Sequence, residues 1–246
     1  MDSILWQIRE FAEIDSTNTY LAQEAQSGAP EGVVARADFQ SAGRGRLDRS
    51  WEAPRGVSLL ASILLRPVVP PEQRFLVSAA VALSARTALT RLCGLQPALK
   101  WPNDLVVGDR KLGGLLGEVV GDGVGYVVGI GVNLQWPGPE GVGGTCVLDE
   151  IGVSIEPRAM LDITLGELGR RRPLLDSVDG RTQLHEELVG ALATLGQTVR
   201  VERTQGFITG TAVSLEHDGT LIVATTEGNE AVRYGDIVHL RRAETS

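Results

Sequence analysis

The spacing of apolar residues predicts strands and helices that follow one another over most of the chain. An almost unbroken apolar run at residues 58–65 is typical of a buried strand, and residues 33–38 indicate a shorter one. Apolar residues then keep helical spacing over residues 76–89, and Gly94 is expected to end that helix. Further short strands are predicted at residues 98–101, 105–107, 112–120 and 126–134, and a broken helical stretch at residues 157–195.

The pattern changes at Gln197. Beyond it, apolar and polar residues alternate in short segments with no long helix between them, and Asp218-Gly219 is a strong hairpin signal. We therefore predict two domains, one at residues 1–196 and a small β-barrel at residues 197–246. The segments predicted as strands of the barrel are residues 198–202, 207–215, 220–225 and 237–241.

The acidic charge of the chain narrows the range of partners. The chain has 246 residues, of which 43% are hydrophobic, and its formal net charge is −8. This composition supports a sizeable core. The acidic balance argues against a general binder of nucleic acids or membrane surfaces, because those partners are themselves anionic.

Few features of the sequence bear on the localisation of the protein or on metal binding. Cys93 and Cys146 belong to no cluster with metal-ligand spacing, so we predict no metal site, and they are typical of a reducing compartment. The N-terminus lacks the basic-then-apolar order of a signal peptide, and the apolar run at residues 57–65 is too short to span a bilayer. We expect a soluble, cytoplasmic protein.

The most informative segment is residues 41–51, Ser-Ala-Gly-Arg-Gly-Arg-Leu-Asp-Arg-Ser-Trp. Glycines beside arginines let the backbone approach a ligand closely while guanidinium groups reach it. Arg44, Arg46 and Arg49 stand against the single Asp48, which favours an anion-binding loop in an otherwise acidic protein. The segment lacks the Lys-Ser/Thr end of a P-loop and the glycine spacing of a dinucleotide fingerprint. A solvated surface loop is the competing interpretation.

Three further segments are weaker signals on their own. Residues 100–104, Lys-Trp-Pro-Asn-Asp, fix the backbone and present polar groups, although Pro and Asn-Asp equally favour an ordinary β-turn. Lys111 begins a Lys-Leu-Gly-Gly segment, where a solvated lysine at a strand end is the plainer interpretation. Residues 129–133, Gly-Ile-Gly-Val-Asn, allow close approach of a ligand or, equally, tight sheet packing.

Taken together, these segments resemble the motifs of bacterial biotin protein ligases. The matching segments are residues 43–51, 100–104, 110–114 and 129–133, in this order and spacing, and the Asp-Ser-Thr-Asn string at residues 15–18 also fits. The resemblance covers nearly the whole chain. It implies an α/β (α+β) fold: a catalytic domain with a mixed sheet, like that of class II aminoacyl-tRNA synthetases, followed by an SH3-like barrel. Many relatives begin with a DNA-binding helix-turn-helix domain. Because the motifs here start at residue 15, we expect the short form without it.

The resemblance implies biotin–[acetyl-CoA-carboxylase] ligase activity. Biotin and ATP, with Mg²⁺, would form biotinyl-5′-AMP and pyrophosphate. The biotin would then pass to a specific lysine of a biotin carboxyl carrier protein or domain of acyl-CoA or pyruvate carboxylases. We expect no DNA or membrane partner, and a monomer or weak homodimer.

The resemblance also assigns the site residues by position. It places Arg44, Arg46, Asp104 and Lys111 in catalysis and assigns no residue to a metal. The residues implied for the biotin side are Ser16, Thr17, Gln40, Gly43, Arg44, Arg46, Lys111 and Gly114. Those implied for the ATP or adenylate side are Arg46, Arg49, Trp51, Asn103, Asp104 and Asn133.

Charge explains why such a reaction requires cations. The biotin carboxylate must attack a phosphate, and two unit charges about 4 Å apart repel by about 4 kcal/mol at an effective dielectric of about 20. Lys111 is the predicted bridge between carboxylate and α-phosphate, and the loop arginines would hold phosphates. For the second step, Asp104 is a candidate acceptor for the proton of the carrier lysine. It could equally orient the turn or the ribose.

Three alternatives remain open. A lipoate or octanoate ligase or transferase of the same fold is the nearest, and the motifs at residues 43–51 and 100–104 favour biotin over it. A non-enzymatic biotin-sensing regulator is disfavoured by the net charge of −8 and the expected lack of a DNA-binding module. A nucleic-acid-binding barrel at residues 197–246 would have only Phe207 and Tyr234 as aromatic platforms for bases.

Overall fold

The computed structural model describes residues 4–121, 123–203, 206–233 and 237–242, so Tyr234 lies outside the described residues. The strands are β1 (Gln7–Phe11), β2 (Val33–Ala37), β3 (Ser58–Leu65), β4 (Ala98–Lys100), β5 (Asp104–Val107), β6 (Arg110–Val120), β7 (Gly125–Asn133), β8 (Thr198–Arg203), β9 (Phe207–Leu215), β10 (Leu221–Thr225), β11 (Gly228–Val232) and β12 (Ile237–Arg242). The helices are α1 (Thr17–Gln26), α2 (Phe75–Cys93), α3 (Val147–Ile151), α4 (Pro157–Arg171) and α5 (Val178–Ala191), with short 3-10 helices at Pro71–Gln73 and Arg172–Asp176.

A seven-stranded sheet in the order β1-β2-β3-β7-β6-β5-β4 forms the centre of the larger part of the molecule. β1 and β2 run parallel and the other neighbours run antiparallel, which confirms the predicted mixed sheet. Leu21 of α1 packs on one face against Val33 and Val127, whereas α2, α4 and α5 cover the other face. Because β3 is buried on both faces, its sequence is an almost unbroken apolar run.

The segment Pro71–Cys93, which contains α2, is long and apolar enough to cross a membrane by length and composition. In the protein, 61% of its most apolar window is buried, and Leu76, Leu83 and Leu89 pack in the main core. A buried core helix passes the same test, so the segment is weak evidence for membrane insertion. Gly94 ends the helix in the left-handed conformation, with φ at 76°, as predicted.

Strands β8 to β12 form a five-stranded antiparallel sheet, which confirms the small β-domain expected at the C-terminal end. This sheet is joined firmly to the larger part. The indole Nε1 of Trp101 donates to the carbonyl oxygen of Gly219 at 3.1 Å, and His185 Nε2 lies 3.0 Å from the carbonyl oxygen of Leu215. One continuous hydrophobic core includes residues from both parts. A domain boundary at residue 196 therefore stays a prediction.

The sequence pattern does not reveal β1, α3 and β11. β1 and β11 are edge strands whose residues are mostly exposed or half-buried, so no apolar run marks them. α3 has five residues, too few for helical periodicity to show. These omissions lie at the edges of the sheets or between longer elements, and the predicted core elements are unaffected.

Candidate active site

A cavity of about 910 Å³ lies against the seven-stranded sheet. It is enclosed by the start of α1, the loop at residues 40–52, the turn at residues 100–104, the start of β6 and the loop at residues 137–144. Among the described residues, none beyond Gly144 lines it. All predicted site residues except Gly43 line this cavity: Ser16, Thr17, Gln40, Arg44, Arg46, Arg49, Trp51, Asn103, Asp104, Lys111, Gly114 and Asn133.

The first turn of α1 forms one wall of the cavity. The Ser16 hydroxyl caps the helix by accepting a hydrogen bond from the backbone N–H of Thr19. Gln40 approaches from the opposite loop, and its Oε1 accepts the backbone N–H of Thr17 at 2.8 Å. Ser16 and Thr17 are only 2% and 3% exposed. These polar groups therefore border a recess shielded from water, which suits a neutral polar ligand.

A chain of hydrogen bonds leads from this wall to the arginine loop. Thr17 Oγ1 lies 2.7 Å from Ser62 Oγ, which donates to Asn18 Oδ1 at 2.6 Å. Asn18 Nδ2 then donates to Glu118 Oε2 at 2.8 Å, and Glu118 pairs with Arg44. The sequence prediction assigned no site role to Ser62, Asn18 or Glu118. Ser62 interrupts the apolar run of β3 and Asn18 ends the Asp-Ser-Thr-Asn string, so both left a signal, whereas Glu118 left none.

The arginine-rich loop closes tightly on itself. The backbone N–H of Trp51 donates to the carbonyl oxygen of Gly43 at 2.9 Å. A Cβ at Gly43 would lie 2.3 Å from the carbonyl oxygen of Trp51, so this approach requires glycine. Gly43 thus shapes the loop and is not among the residues that line the cavity, and its contact with biotin stays a prediction. At the tip, Leu47 and Asp48 adopt left-handed φ values of 55° and 56°, a strained conformation for residues with a Cβ.

The arginines of the loop reach two other walls of the cavity. Arg44 forks onto the carboxylate of Glu118, with N–O distances of 2.9 and 3.2 Å. Arg46 Nη1 lies 3.4 Å from Oδ1 of Asn103 in the turn at residues 100–104. Asn103 is itself fixed, because its Nδ2 donates to the carbonyl oxygen of Leu115 at 2.8 Å. The loop is therefore tied to both sides of the cavity.

Lys111 forms the other cationic wall, close to Asp104 and Trp51. Its Nζ lies 2.7 Å from Oδ1 of Asp104, an ion pair by distance without the alignment of a hydrogen bond. The same Nζ lies 5.6 Å from the centroid of the Trp51 ring, within cation–π range. The Lys111 and Asp104 side chains are 37% and 24% exposed, so both can meet a ligand.

Two glycines make room for the indole of Trp51. A Cβ at Gly131 would lie 2.4 Å from the ring, and a Cβ at Gly114 would lie 3.2 Å from it. In the segment at residues 129–133, Gly131 therefore leaves the space that the Trp51 side chain occupies. Among the described residues, the Trp51 Nε1–H is buried and has no hydrogen-bond acceptor. A ligand atom could accept this hydrogen bond.

The glycine-rich loop at residues 137–144 is mostly exposed and also lines the cavity. Asn133 holds it from below: its Nδ2 lies 3.2 Å from the carbonyl oxygen of Pro137 and 3.1 Å from that of Thr145. The backbone of Lys111 pairs with the same loop, accepting from the N–H of Thr145 at 2.8 Å and donating to the carbonyl of Gly143 at 3.0 Å. The Asn133 side-chain amide and the backbone of Lys111 therefore connect this loop to the sheet.

The site is therefore cationic within an acidic chain. Arg44, Arg46, Arg49 and Lys111 line it, and Glu118 and Asp104 neutralise part of their charge. Such a cavity can bring anionic groups together and stabilise the charge that develops between them. Within the described part of the chain, no group of three or more His, Cys, Asp or Glu side chains is arranged to hold a metal ion.

Comparison with known proteins identifies the family to which the chain is similar. Residues 10–135 match the model of the biotin/lipoate A/B protein ligase family, and residues 194–240 match that of the biotin protein ligase C terminal domain. The chain is 34% identical over 243 residues to a biotin–[acetyl-CoA-carboxylase] ligase of Mycobacterium tuberculosis, covering 96% of this chain and 90% of that protein. A protein of the same name from Paracoccus denitrificans is 29% identical, with 92% of this chain and 98% of that protein covered.

A solved structure shares the fold along almost the whole chain. The biotin protein ligase from Aquifex aeolicus in complex with biotin and ATP superposes with a TM-score of 0.83 and 27% identity, covering 96% of this chain and 99% of that one. The region matched by the family model contains the N-terminal cap of α1, the arginine-rich loop and the turn at residues 100–104. It also contains β6, which carries Lys111, and β7, which carries the glycine Gly131 beside the Trp51 ring. The chain belongs to the biotin/lipoate A/B protein ligase family.

Proposed function

We propose that this chain is a biotin protein ligase, which activates biotin with ATP and transfers it to a lysine of a carrier protein. The observation that carries the proposal is the meeting of Lys111, Asp104 and Trp51 with Arg44 and Arg46 in one cavity. The names of the relatives and the biotin and ATP in the Aquifex aeolicus structure support the choice of substrates.

In the first step, a carboxylate oxygen of biotin attacks the α-phosphorus of ATP. A carbon–oxygen–phosphorus anhydride forms, and pyrophosphate leaves with the electron pair of the broken bond. Lys111 bridges carboxylate and α-phosphate, while Arg44, Arg46 and Arg49 hold oxygens of the ligands. The chain forms no covalent bond to substrate, so its contribution is alignment and electrostatic stabilisation.

The pair of Lys111 and Asp104 supports this role for the lysine. Asp104 compensates the lysine charge at 2.7 Å before an anionic ligand is present. A substrate carboxylate or phosphate competes for the same Nζ, which carries three donors. Asp104 then remains beside the reacting groups with a free oxygen.

The polar recess at the start of α1 fits the neutral ureido ring of biotin. Ser16, Thr17 and Gln40 supply both donors and acceptors there, and Gly114, which lines the same cavity beside Trp51 and Lys111, is a further residue that we place on the biotin side. Trp51 supplies a flat aromatic wall for the adenine or ribose, together with Asn103 and Asn133, which we place on the nucleotide side.

Magnesium enters this proposal as part of the ATP substrate. Mg²⁺ is commonly bound by one or two carboxylates together with substrate phosphates and water. Asp104 and Glu52 both line the cavity and are of the right chemical type for that role. The ion would neutralise phosphate charge, and we assign no resident metal site.

In the second step, the amine of the carrier lysine attacks the carbonyl carbon of the adenylate. An amide bond forms, the bond from carbon to phosphate oxygen breaks, and AMP leaves. The amine must lose a proton, and Asp104 is our candidate acceptor because it lines the cavity beside Lys111. The carrier is expected to be a biotin carboxyl carrier domain, in keeping with the names of the relatives.

The test is a reconstitution with defined components. The purified chain is incubated with biotin, Mg-ATP and a biotin carboxyl carrier domain, and the carrier is weighed by intact-mass spectrometry. We expect a mass increase of one biotin that requires ATP, and no increase with lipoate or octanoate in place of biotin. A carrier that gains lipoate or octanoate and no biotin would assign the chain to the other branch of the family.

The setting of the enzyme belongs to the same proposal. We infer a cytoplasmic enzyme that acts as a monomer or weak homodimer and binds neither DNA nor membranes. The formal net charge of −8 supports the expected lack of DNA and membrane binding, since DNA and membrane surfaces repel an acidic protein.

A further inference from the structure

Glu118 has no place in the proposed chemistry and does not itself line the cavity, yet it pairs with Arg44, which does. Both of its oxygens face the guanidinium of Arg44, at 2.9 Å from Nη2 and 3.2 Å from Nη1. Its Oε2 also accepts from Asn18 Nδ2 at 2.8 Å. We propose that Glu118, supported by Asn18, is a positioning residue that holds Arg44 in its ligand-binding orientation. This inference rests on the proposed function.

The pair leaves Arg44 free to bind a ligand. A guanidinium carries five N–H donors, and the fork onto Glu118 engages one edge of it. The Arg44 side chain is 47% exposed and lines the cavity, so its other edge is open to an anion. Glu118 therefore orients the arginine without competing for all of its donors.

Asn18 fixes the carboxylate in turn. Asn18 is 4% exposed, and its Nδ2 faces two acceptors, Glu118 Oε2 and the carbonyl oxygen of Leu116 at 3.2 Å. Its Oδ1 accepts from the Ser62 hydroxyl at 2.6 Å. These contacts leave one orientation for the amide, with the donor toward Glu118. A Cβ at Gly129 would lie 2.2 Å from Asn18 Oδ1, so strand β7 leaves space for this side chain.

The direction of the chain is set by counting hydrogens. Each hydroxyl has one hydrogen, and Ser62 gives its hydrogen to Asn18. Gln40 Oε1 lies 3.0 Å from the Thr17 hydroxyl and already accepts the Thr17 backbone N–H. Because Ser62 has given up its own hydrogen, the shorter contact of 2.7 Å assigns the Thr17 hydroxyl hydrogen to Ser62 Oγ. The side-chain donors of Thr17, Ser62 and Asn18 then follow one another toward the Glu118 carboxylate. The recess proposed for the biotin ring and the arginine proposed for its carboxylate are thus joined by one continuous set of hydrogen bonds.

The first variant removes the charge and keeps the shape. Glu118→Gln retains an acceptor oxygen for Asn18 but replaces one half of the fork onto Arg44 with an amide. We expect kcat/KM for biotin in adenylate formation to fall about tenfold, since misplacing a binding group by a fraction of an ångström already lowers rates. The midpoint of thermal unfolding and KM for ATP should change little. Glu118→Asp, which restores the charge, should recover part of the loss.

A matched control lies on the same helix as Asn18. Glu24 pairs with Arg9, and neither lines the cavity. Glu24→Gln removes an equivalent ion pair and should leave kcat/KM for biotin unchanged. Asn18→Asp gives a second, independent variant, because it replaces the donor facing Glu118 by a carboxylate and should release Arg44 as Glu118→Gln does.

The decisive measurement is a double-mutant cycle. If Glu118 acts through Arg44, Glu118→Gln should cause no further loss of kcat/KM in an Arg44→Ala background. An equal further loss there would overturn the proposal, as would wild-type kcat/KM in the Glu118→Gln single variant. The wild-type protein is measured in the same assay. If it forms no adenylate from biotin, the proposed function fails, and this inference fails with it.

Discussion

Replacing Gly131 by alanine places a methyl group where the structure has the Trp51 indole. The new Cβ would lie 2.4 Å from Cε2, 2.5 Å from Cζ2 and 2.8 Å from Nε1 of Trp51. Ordinary van der Waals contact begins near 3.4 Å, so the ring must retreat by about 1 Å. The Trp51 backbone cannot follow freely, because its N–H is bonded to the Gly43 carbonyl at 2.9 Å. The displaced ring would disturb Lys111, whose Nζ lies 5.6 Å from its centroid.

Two magnitudes follow from this displacement. Overpacking of a tight site costs about 1–3 kcal/mol of unfolding free energy. A shift of about 1 Å in a catalytic site can slow the reaction about 100-fold. We therefore expect Gly131→Ala to reduce the rate of biotin-dependent exchange of pyrophosphate into ATP about 100-fold. Under conditions in which the variant is still folded, its loss of stability would not account for such a reduction in rate.

The control for this prediction is another glycine. A Cβ at Gly166, inside α4, would meet nothing within 4 Å. Gly166→Ala should keep the wild-type exchange rate and gain about 0.5–1 kcal/mol of stability from the helix preference of alanine. Exchange at the wild-type rate with an unchanged unfolding midpoint in Gly131→Ala would refute the reasoning, because the ring would then have room that the structure does not show.

Three further predictions concern single side chains. Lys111→Ala should block adenylate formation while changing the unfolding free energy by less than about 0.5 kcal/mol, and adenylate at a near wild-type rate would move the bridging role elsewhere. Burial alone would raise the pKa of Glu167, but its hydrogen bond from Arg91 contributes to a pKa below the usual 4.5. Its stabilising effect is then present at neutral pH and is lost as the pH falls through the lowered pKa, so Glu167→Gln should flatten the acid side of the stability profile measured by urea unfolding. Arg46→Gly should release the adenylate, which would then label lysines of added bystander proteins. Labelling of lysines in the enzyme itself is limited to Lys100 and Lys111, the two lysines of the chain. An Arg46→Gly enzyme that still makes adenylate and labels only the carrier would contradict this.

Elements buried on a regular face could be predicted from the sequence, whereas the exposed edge strands β1 and β11 could not. β3 and α2 are marked by apolar residues because each is buried against the core. The edge strands β1 and β11 carry no such mark, since a strand with one neighbour buries less of its surface. The sequence does not show that the exposed loop at residues 137–144 lines the cavity, because its glycines and prolines do not reveal the contacts that Asn133 and Lys111 make with it.

By itself, the sequence determined which chemical groups the chain can bring to a site. The order and spacing of the motifs supplied arginines, a lysine, an aromatic ring and the glycines beside them. Only the tertiary structure decided which groups are partners. Glu118 stands 74 residues from Arg44 and 100 residues from Asn18. They meet because α1 crosses the sheet where β7 lies between β3 and β6, an arrangement set by packing of the whole core and not by any local preference of the residues themselves.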